Sequence, residues 1–170
     1  MNLFFRLFWT LLVSRFRKPV SIMGPCSTPF RCLPTDLDVL RHMNNGMYLS
    51  LMDLARVDLM NRAGLAKKVA AHNWYPVVVA ETIRFKKSLQ LFDAFTIETR
   101  IVGWDEKAFL LEQKFLRKHT LMAEAVVRAR FLKKSGGSVS PEEFFTKMKI
   151  SEPMPQMPQW IHDWNQHNSQ

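Results

Sequence analysis

"TDLDVLRHMNNGMYLSLMDLAR", Thr35 to Arg56, changes character half-way along. Its first half crowds Asp36, Asp38, His42, Asn44 and Asn45 into ten residues. From Gly46 the helical period takes over. Tyr48, Leu51, Met52, Ala55 and Leu59 recur at three- and four-residue steps and form one apolar stripe. Asn61 to Gly64 reads as the helix end, with Gly64 just past the last turn. Polar groups this dense before a helix fit either a capped loop or a reaction centre. Asn44 and Asn45 are good N-caps whatever the function, and Asp36 is placed like an Asx-turn residue.

Outward from this helix the pattern shifts. Phe30 to Leu33 suggests a short first strand, and Leu65 to His72 a second short helix. The period then becomes two, over Tyr75–Ser88, Ala94–Trp104, Lys107–Arg117 and Leu121–Lys133. Phe95, Ile97, Thr99 and Ile101 share one face; Phe109, Leu111, Gln113 and Phe115 share another. Asp105-Glu106 and Lys118-His119 stand where hairpin turns are expected. Ser140 and Pro141 open a last short helix, to Met148. The tail from Ser151, with Pro153, Pro155 and Pro158, reads as extended. One long helix followed by a run of antiparallel strands gives an α+β fold in which the sheet wraps the helix.

A chain of 170 residues, 47% hydrophobic and 23% charged, fits one domain with a real core. Its net charge of +9 suits nucleic acid, an anionic membrane or a phosphorylated ligand. The basic residues are spread out, and no nucleic-acid-binding signature is present, so no nucleic-acid partner is expected. Cys26 and Cys32 form no CxxC pair, and no histidines stand at metal-ligand spacing. No metal or cofactor is expected, and a reducing, cytoplasmic setting is the default.

Residues 1–18, MNLFFRLFWTLLVSRFRK, form a separate amphipathic helix. Leu3, Phe4, Leu7, Phe8, Leu11 and Leu12 fall on one side; Arg6, Thr10 and Arg17 fall on the other. The apolar stretch is too short to span a bilayer, which takes about 20 residues. Two readings stay open: a helix lying peripherally in a membrane interface, and one packed on the protein body or another subunit. Residues 19–29, with Pro19, Gly24, Pro25 and Pro29, read as a linker.

The opening stretch resembles the signature of hot-dog-fold acyl-CoA thioesterases of the 4-hydroxybenzoyl-CoA thioesterase-like superfamily, D-x-D-x-x-x-H-x-N-N-x-x-Y with an acidic residue and Arg following on the helix. It is also similar to the Asp-to-Asn-Asn stretch of plant acyl-ACP thioesterases. "IRFKKSLQLFDAFTIETRIVGWDEK", Ile83 to Lys107, resembles the family's next two strands. The resemblance implies a hot-dog fold: an antiparallel sheet of about five strands around one long helix, here residues 30–150, with 151–170 as an added tail. It implies hydrolysis of an acyl-CoA or acyl-carrier-protein thioester by a homodimer or homotetramer.

The resemblance also aligns the family's catalytic carboxylate on Asp38, as nucleophile or general base. Asn45 and Gly46 would bring the N-terminus of the Gly46–Arg56 helix to the thioester carbonyl. Where some members carry His or Tyr just before the helix, this chain has Asn45. Thioester hydrolysis needs a base or nucleophile and a donor for the developing oxyanion, so a carboxylate ahead of a helix N-terminus suits it. His42 and Asn44 would orient Asp38, a water or the carbonyl; for His42 a structural hydrogen bond is an equal reading. Tyr48 is a core residue that also shapes the acyl pocket. Asp53 and Arg56 read as a surface pair. In hot-dog dimers the site lies between subunits, so Glu81, Thr82 and Ser88 would reach the neighbour's Asp38. Arg84, Lys86, Lys87, Arg128, Arg130, Lys133 and Lys134 are candidates for the CoA phosphates. Two alternatives stand beside hydrolysis: an enoyl-thioester hydratase, and a non-catalytic acyl-thioester-binding or membrane-associated protein.

Overall fold

In the computed structural model, which describes residues 3–169, the long helix is α2, Asn45–Arg62. It buries the expected stripe of Tyr48, Leu51, Met52, Ala55 and Leu59, and adds Leu54 and Asp58. The strands are β1 (Cys26–Arg31), β2 (Trp74–Phe85), β3 (Ala94–Trp104), β4 (Phe109–Arg117), β5 (Thr120–Lys133) and the short β6 (Ser138–Val139). Their order is β1-β3-β4-β5-β2, every pairing is antiparallel, and β6 adds to β5. Register shifts at Ile101/Gly103, Val78/Ala80 and Phe115/Leu116 bend three of the strand pairs. Such irregularities increase local twist and let a sheet curl. The curled sheet holds α2 on its inner face, as the strand pattern predicts.

The first strand begins earlier than expected, at Cys26, so the linker gives up its last residues to the sheet. Cys26 and Thr28 point inward while Ser27 and Pro29 point out. The prolines read as breakers, yet β1 is an edge strand and Pro29 withholds no ladder bond there. Gly24 makes the entry possible. Its φ is +80°, and a Cβ there would lie 2.6 Å from the Thr99 carbonyl oxygen. The short helices α3 (Ala66–Ala71) and α4 (Pro141–Met148) stand where expected, and Ser140 Oγ accepts from the Glu143 N–H at 3.1 Å.

The tail departs from its extended reading. Only its first part is extended; Gln159–His167 is a helix, α5. Its Ile161 joins Val102, Leu110 and Val126 on the outer face of the sheet, with Met157 and Trp164 alongside. The i, i+3 spacing of Ile161 and Trp164 was the available signal. This cover explains why β4 is buried on both faces rather than alternately. It also removes Arg128 from the phosphate candidates. Arg128 is fully buried, with Nη1 2.9 Å from Asp105 and 3.3 Å from Asn165, and Nε donating to the Asn168 carbonyl. It fastens α5 to the sheet.

The N-terminal helix α1, Leu3–Ser14, lies the opposite way round from a helix burying its apolar side. Arg6, Thr10 and Ser14 face the body. Phe4, Phe5, Phe8 and Trp9 are 76%, 66%, 65% and 63% exposed. Two buried carboxylates explain the inversion. Arg6 Nη2 meets Asp36 Oδ2 at 2.5 Å, and Arg17 Nη1, just past the helix, meets Asp58 Oδ2 at 3.2 Å. Asp58 also accepts from Thr28 Oγ1 at 2.7 Å and from Arg62 at 3.5 Å. A charge removed from water costs several kcal/mol unless paired, so these arginines must face inward.

Candidate functional site

The polar stretch before α2 is a tight hairpin. Leu37 bridges Met43, and the Asp38 N–H donates to the His42 carbonyl at 2.8 Å. The Asp38 carboxylate closes the turn from its own side chain: Oδ1 accepts from the Leu40 N–H at 2.8 Å and the His42 N–H at 3.2 Å. Both bonds fall on Oδ1, which leaves Oδ2 for a water or a substrate. The tip of the hairpin is exposed at Val39 and Leu40, and Arg41 takes a φ of 62° to turn it. His42 enters this arrangement through its backbone. Its strand partner is Gln90.

Asn44 follows directly and caps α2. Its Oδ1 accepts from the Gly46 N–H at 2.8 Å, and its backbone oxygen accepts from Met47. The Gly46 N–H, expected to face a carbonyl, is therefore occupied. Asn45, the first residue of the helix, is exposed beside it. Asp36 sits beneath. It is fully buried, accepts from the Leu33 N–H through its carboxylate, and accepts from the Asn44 N–H through its backbone oxygen.

The segment after β2 flanks the hairpin within the same chain. The Met43 N–H donates to the Leu89 carbonyl at 2.9 Å, and the Leu89 N–H donates to the Tyr48 hydroxyl at 3.3 Å. Ser88, expected to reach a neighbouring subunit, thus lies beside the segment facing its own Met43. Glu81 and Thr82 lie farther back on β2, opposite Val127 and Val126. Tyr48 is buried between Phe85 and Phe115, with ring centroids 5.0 and 4.9 Å away. Burial pushes its phenol above the ordinary value, so it remains protonated. Of the phosphate candidates, Arg84 and Lys86 converge on Glu124 and Lys133 pairs with Glu143. Arg130 is half-buried, while Lys87 and Lys134 stay exposed.

Sequence reasoning missed a cavity of about 530 Å³ along the far half of α2. Met60, Val69, Trp74, Val77 and Phe131 give it an apolar lining, with Asp53 and Arg56 at its polar end. The pairing of Asp53 with Arg56 follows expectation. Arg56 also reaches Gln113 Oε1 at 2.6 Å, and Gln113 Nε2 donates to the Met52 carbonyl and Thr99 Oγ1. Asp53 lies eight positions beyond Asn45, about 12 Å along the helix at 1.5 Å per residue. Gln113 on an inward strand face was the one clue to this network. No group of three or more His, Cys, Asp or Glu converges among the described residues.

Residues 32–164 match the model of the thioesterase-like superfamily. The chain belongs to that superfamily. It is 37% identical over 151 residues to Protein THEM6 of Danio rerio, covering 88% of this chain and 75% of that one. It spans 65% of the proteins of that name from Xenopus laevis and Drosophila melanogaster. It is 32% identical over 77 residues to the long-chain acyl-CoA thioesterase FadM of Escherichia coli, covering 45% of this chain and 58% of that one. The crystal structure of YbaW, a probable thioesterase from Escherichia coli, superposes with a TM-score of 0.64 at 26% identity, over 72% of this chain and 96% of that one. The hot-dog expectation is met.

The cysteines are free and buried. Burial, then the charge of Asp58, pushes the Cys26 thiol up to about 11; burial, then Asp36 and Asp93, does the same for Cys32. Thiols held this far above neutral are poor nucleophiles. Iodoacetamide at pH 8 is expected to label neither cysteine in the folded protein and both after unfolding, read by mass spectrometry. Prompt labelling of either in the folded state would contradict this placement.

Proposed function

We propose that this chain hydrolyses acyl-CoA thioesters, with Asp38 as nucleophile or as general base toward water. One observation carries the reading: Asp38 is held by Oδ1 alone, in a hairpin that leads within a few residues to the start of α2. A thioester carbonyl set at that helix start meets the positive end of the dipole and the Asn45 N–H as its oxygen gains charge. The Asp38 Oδ2 is left to attack the carbonyl carbon or to take a proton from water. The apolar cavity has a size and lining that suit an acyl chain. The name of the Escherichia coli relative, a long-chain acyl-CoA thioesterase, supports coenzyme A as carrier. β2 pairs with β5 and exposes Val78 and Val79, which supports a second copy along that edge.

Released thiol, followed with a dye across short to long acyl-CoAs, tests the reading. Asp38→Asn is expected to lower kcat at least about a hundredfold, the usual worth of a positioned base or nucleophile, with the fold intact. Wild-type turnover in that variant would sink the role of Asp38.

A second reading concerns location, and α1 favours it. No helix among the described residues is long and apolar enough to cross a membrane. The outer face of α1 instead presents Phe4, Phe5, Phe8 and Trp9, followed by exposed Phe16 with Arg15 and Lys18. Aromatic rings beside basic residues match the interface of an anionic bilayer. The protein is expected to cosediment with vesicles containing phosphatidylserine, less with neutral ones, and to lose this in Phe4→Ser/Phe8→Ser/Trp9→Ser. Equal sedimentation of the triple variant would refute docking through this face.

A further inference from the structure

Arg6 is 5% exposed and reaches across from α1 to a loop it does not belong to. Its partner Asp36 is the knot of that loop. The Asp36 carboxylate holds Arg6 Nη2 at 2.5 Å and the Leu33 N–H at 2.8 Å. The Asp36 backbone oxygen holds the Asn44 N–H at 2.8 Å. One residue therefore joins α1, the end of the first strand's connection and the N-cap of α2. The two groups assigned to the chemistry hang from it, Asp38 two positions later and Asn45 one position past Asn44.

We infer that Arg6 is a positioning residue for thioester hydrolysis, setting Asp38 against the start of α2 through Asp36. This rests on the reading of Asp38 given above. Without the guanidinium, the Asp36 carboxylate is a buried charge with no counter-charge. It relaxes by rotating or by admitting water, and either loosens the bonds to Leu33 and Asn44. Reaction rates are sensitive to such shifts; a misplacement of about 1 Å can cost on the order of a hundredfold. Arg17 provides the comparison. It also ties the N-terminal segment to a buried carboxylate, but Asp58 lies in the last turns of α2, has Arg62 and Thr28 as further partners and touches nothing in the hairpin.

The test uses the full chain and the acyl-CoA that the wild type cleaves fastest. Arg6→Gln, Arg6→Lys, Arg17→Gln and Asp38→Asn are compared by kcat, KM and amide hydrogen exchange. Arg6→Gln is expected to lower kcat at least about tenfold with little change in KM. The amides of Leu40, His42 and Asn44 should exchange faster while those of central α2 do not. Arg6→Lys, which keeps the charge but not the planar fork, should fall between Arg6→Gln and wild type on both readouts. Arg17→Gln should keep kcat within about twofold, as expected for a site outside the reacting geometry.

Should Arg6→Gln not fold, Arg6→Lys decides: wild-type exchange and kcat overturn the inference. Folded Arg6→Gln with wild-type kcat overturns it while leaving Asp38 in place, provided Asp38→Asn is inactive. Equal losses in Arg6→Gln and Arg17→Gln also overturn it, since they mean a general loosening of α1. An active Asp38→Asn removes the reading of Asp38 and this inference with it.

Discussion

Among the described residues two side-chain carboxylates, Asp36 and Asp58, are wholly out of water, and each takes an arginine from the first seventeen residues. Breaking the Arg6–Asp36 pair by removing one partner costs about 3–5 kcal/mol, a large share of the stability of a domain this size. That constraint orders much of the rest. It turns the polar side of α1 inward and leaves its aromatic side outward. It fixes the loop between β1 and α2 at Asp36, and it joins α1, β1 and α2 at Asp58 through Arg17, Thr28 and Arg62.

The same pairings explain what could and could not be read in the sequence. The strands and α2 were legible because burial on one face imposes a period, and their limits fell within a few residues. The motif from Asp36 to Tyr48 was legible as a mark of the superfamily. The orientation of α1 was not: an amphipathic pattern shows two faces, but only the long-range partners of Arg6 and Arg17 tell which is buried. Arg128 looked like one more basic residue on an alternating strand. Its burial depends on α5, and α5 was hidden behind three prolines that suggested an extended tail. The cavity beside α2 is a gap between elements, so no single residue announces it.

The proposed function rests on the geometry at one end of α2. Tyr48 anchors Leu89, Leu89 holds Met43, and Asp36 holds Asn44, so the hairpin bearing Asp38 is braced on both sides. Membership of the thioesterase-like superfamily agrees with that arrangement. The cavity lies farther along the same helix, and the proposal places the acyl chain there.

A crystal structure with an acyl-CoA analogue whose thioester sulfur is replaced by methylene would test this most directly. The account predicts its ketone oxygen within about 3 Å of the Asn45 N–H, a normal hydrogen bond, with the carbonyl carbon facing Asp38 Oδ2. A ketone seated instead at Asp53 and Arg56, away from Asp38, would contradict it.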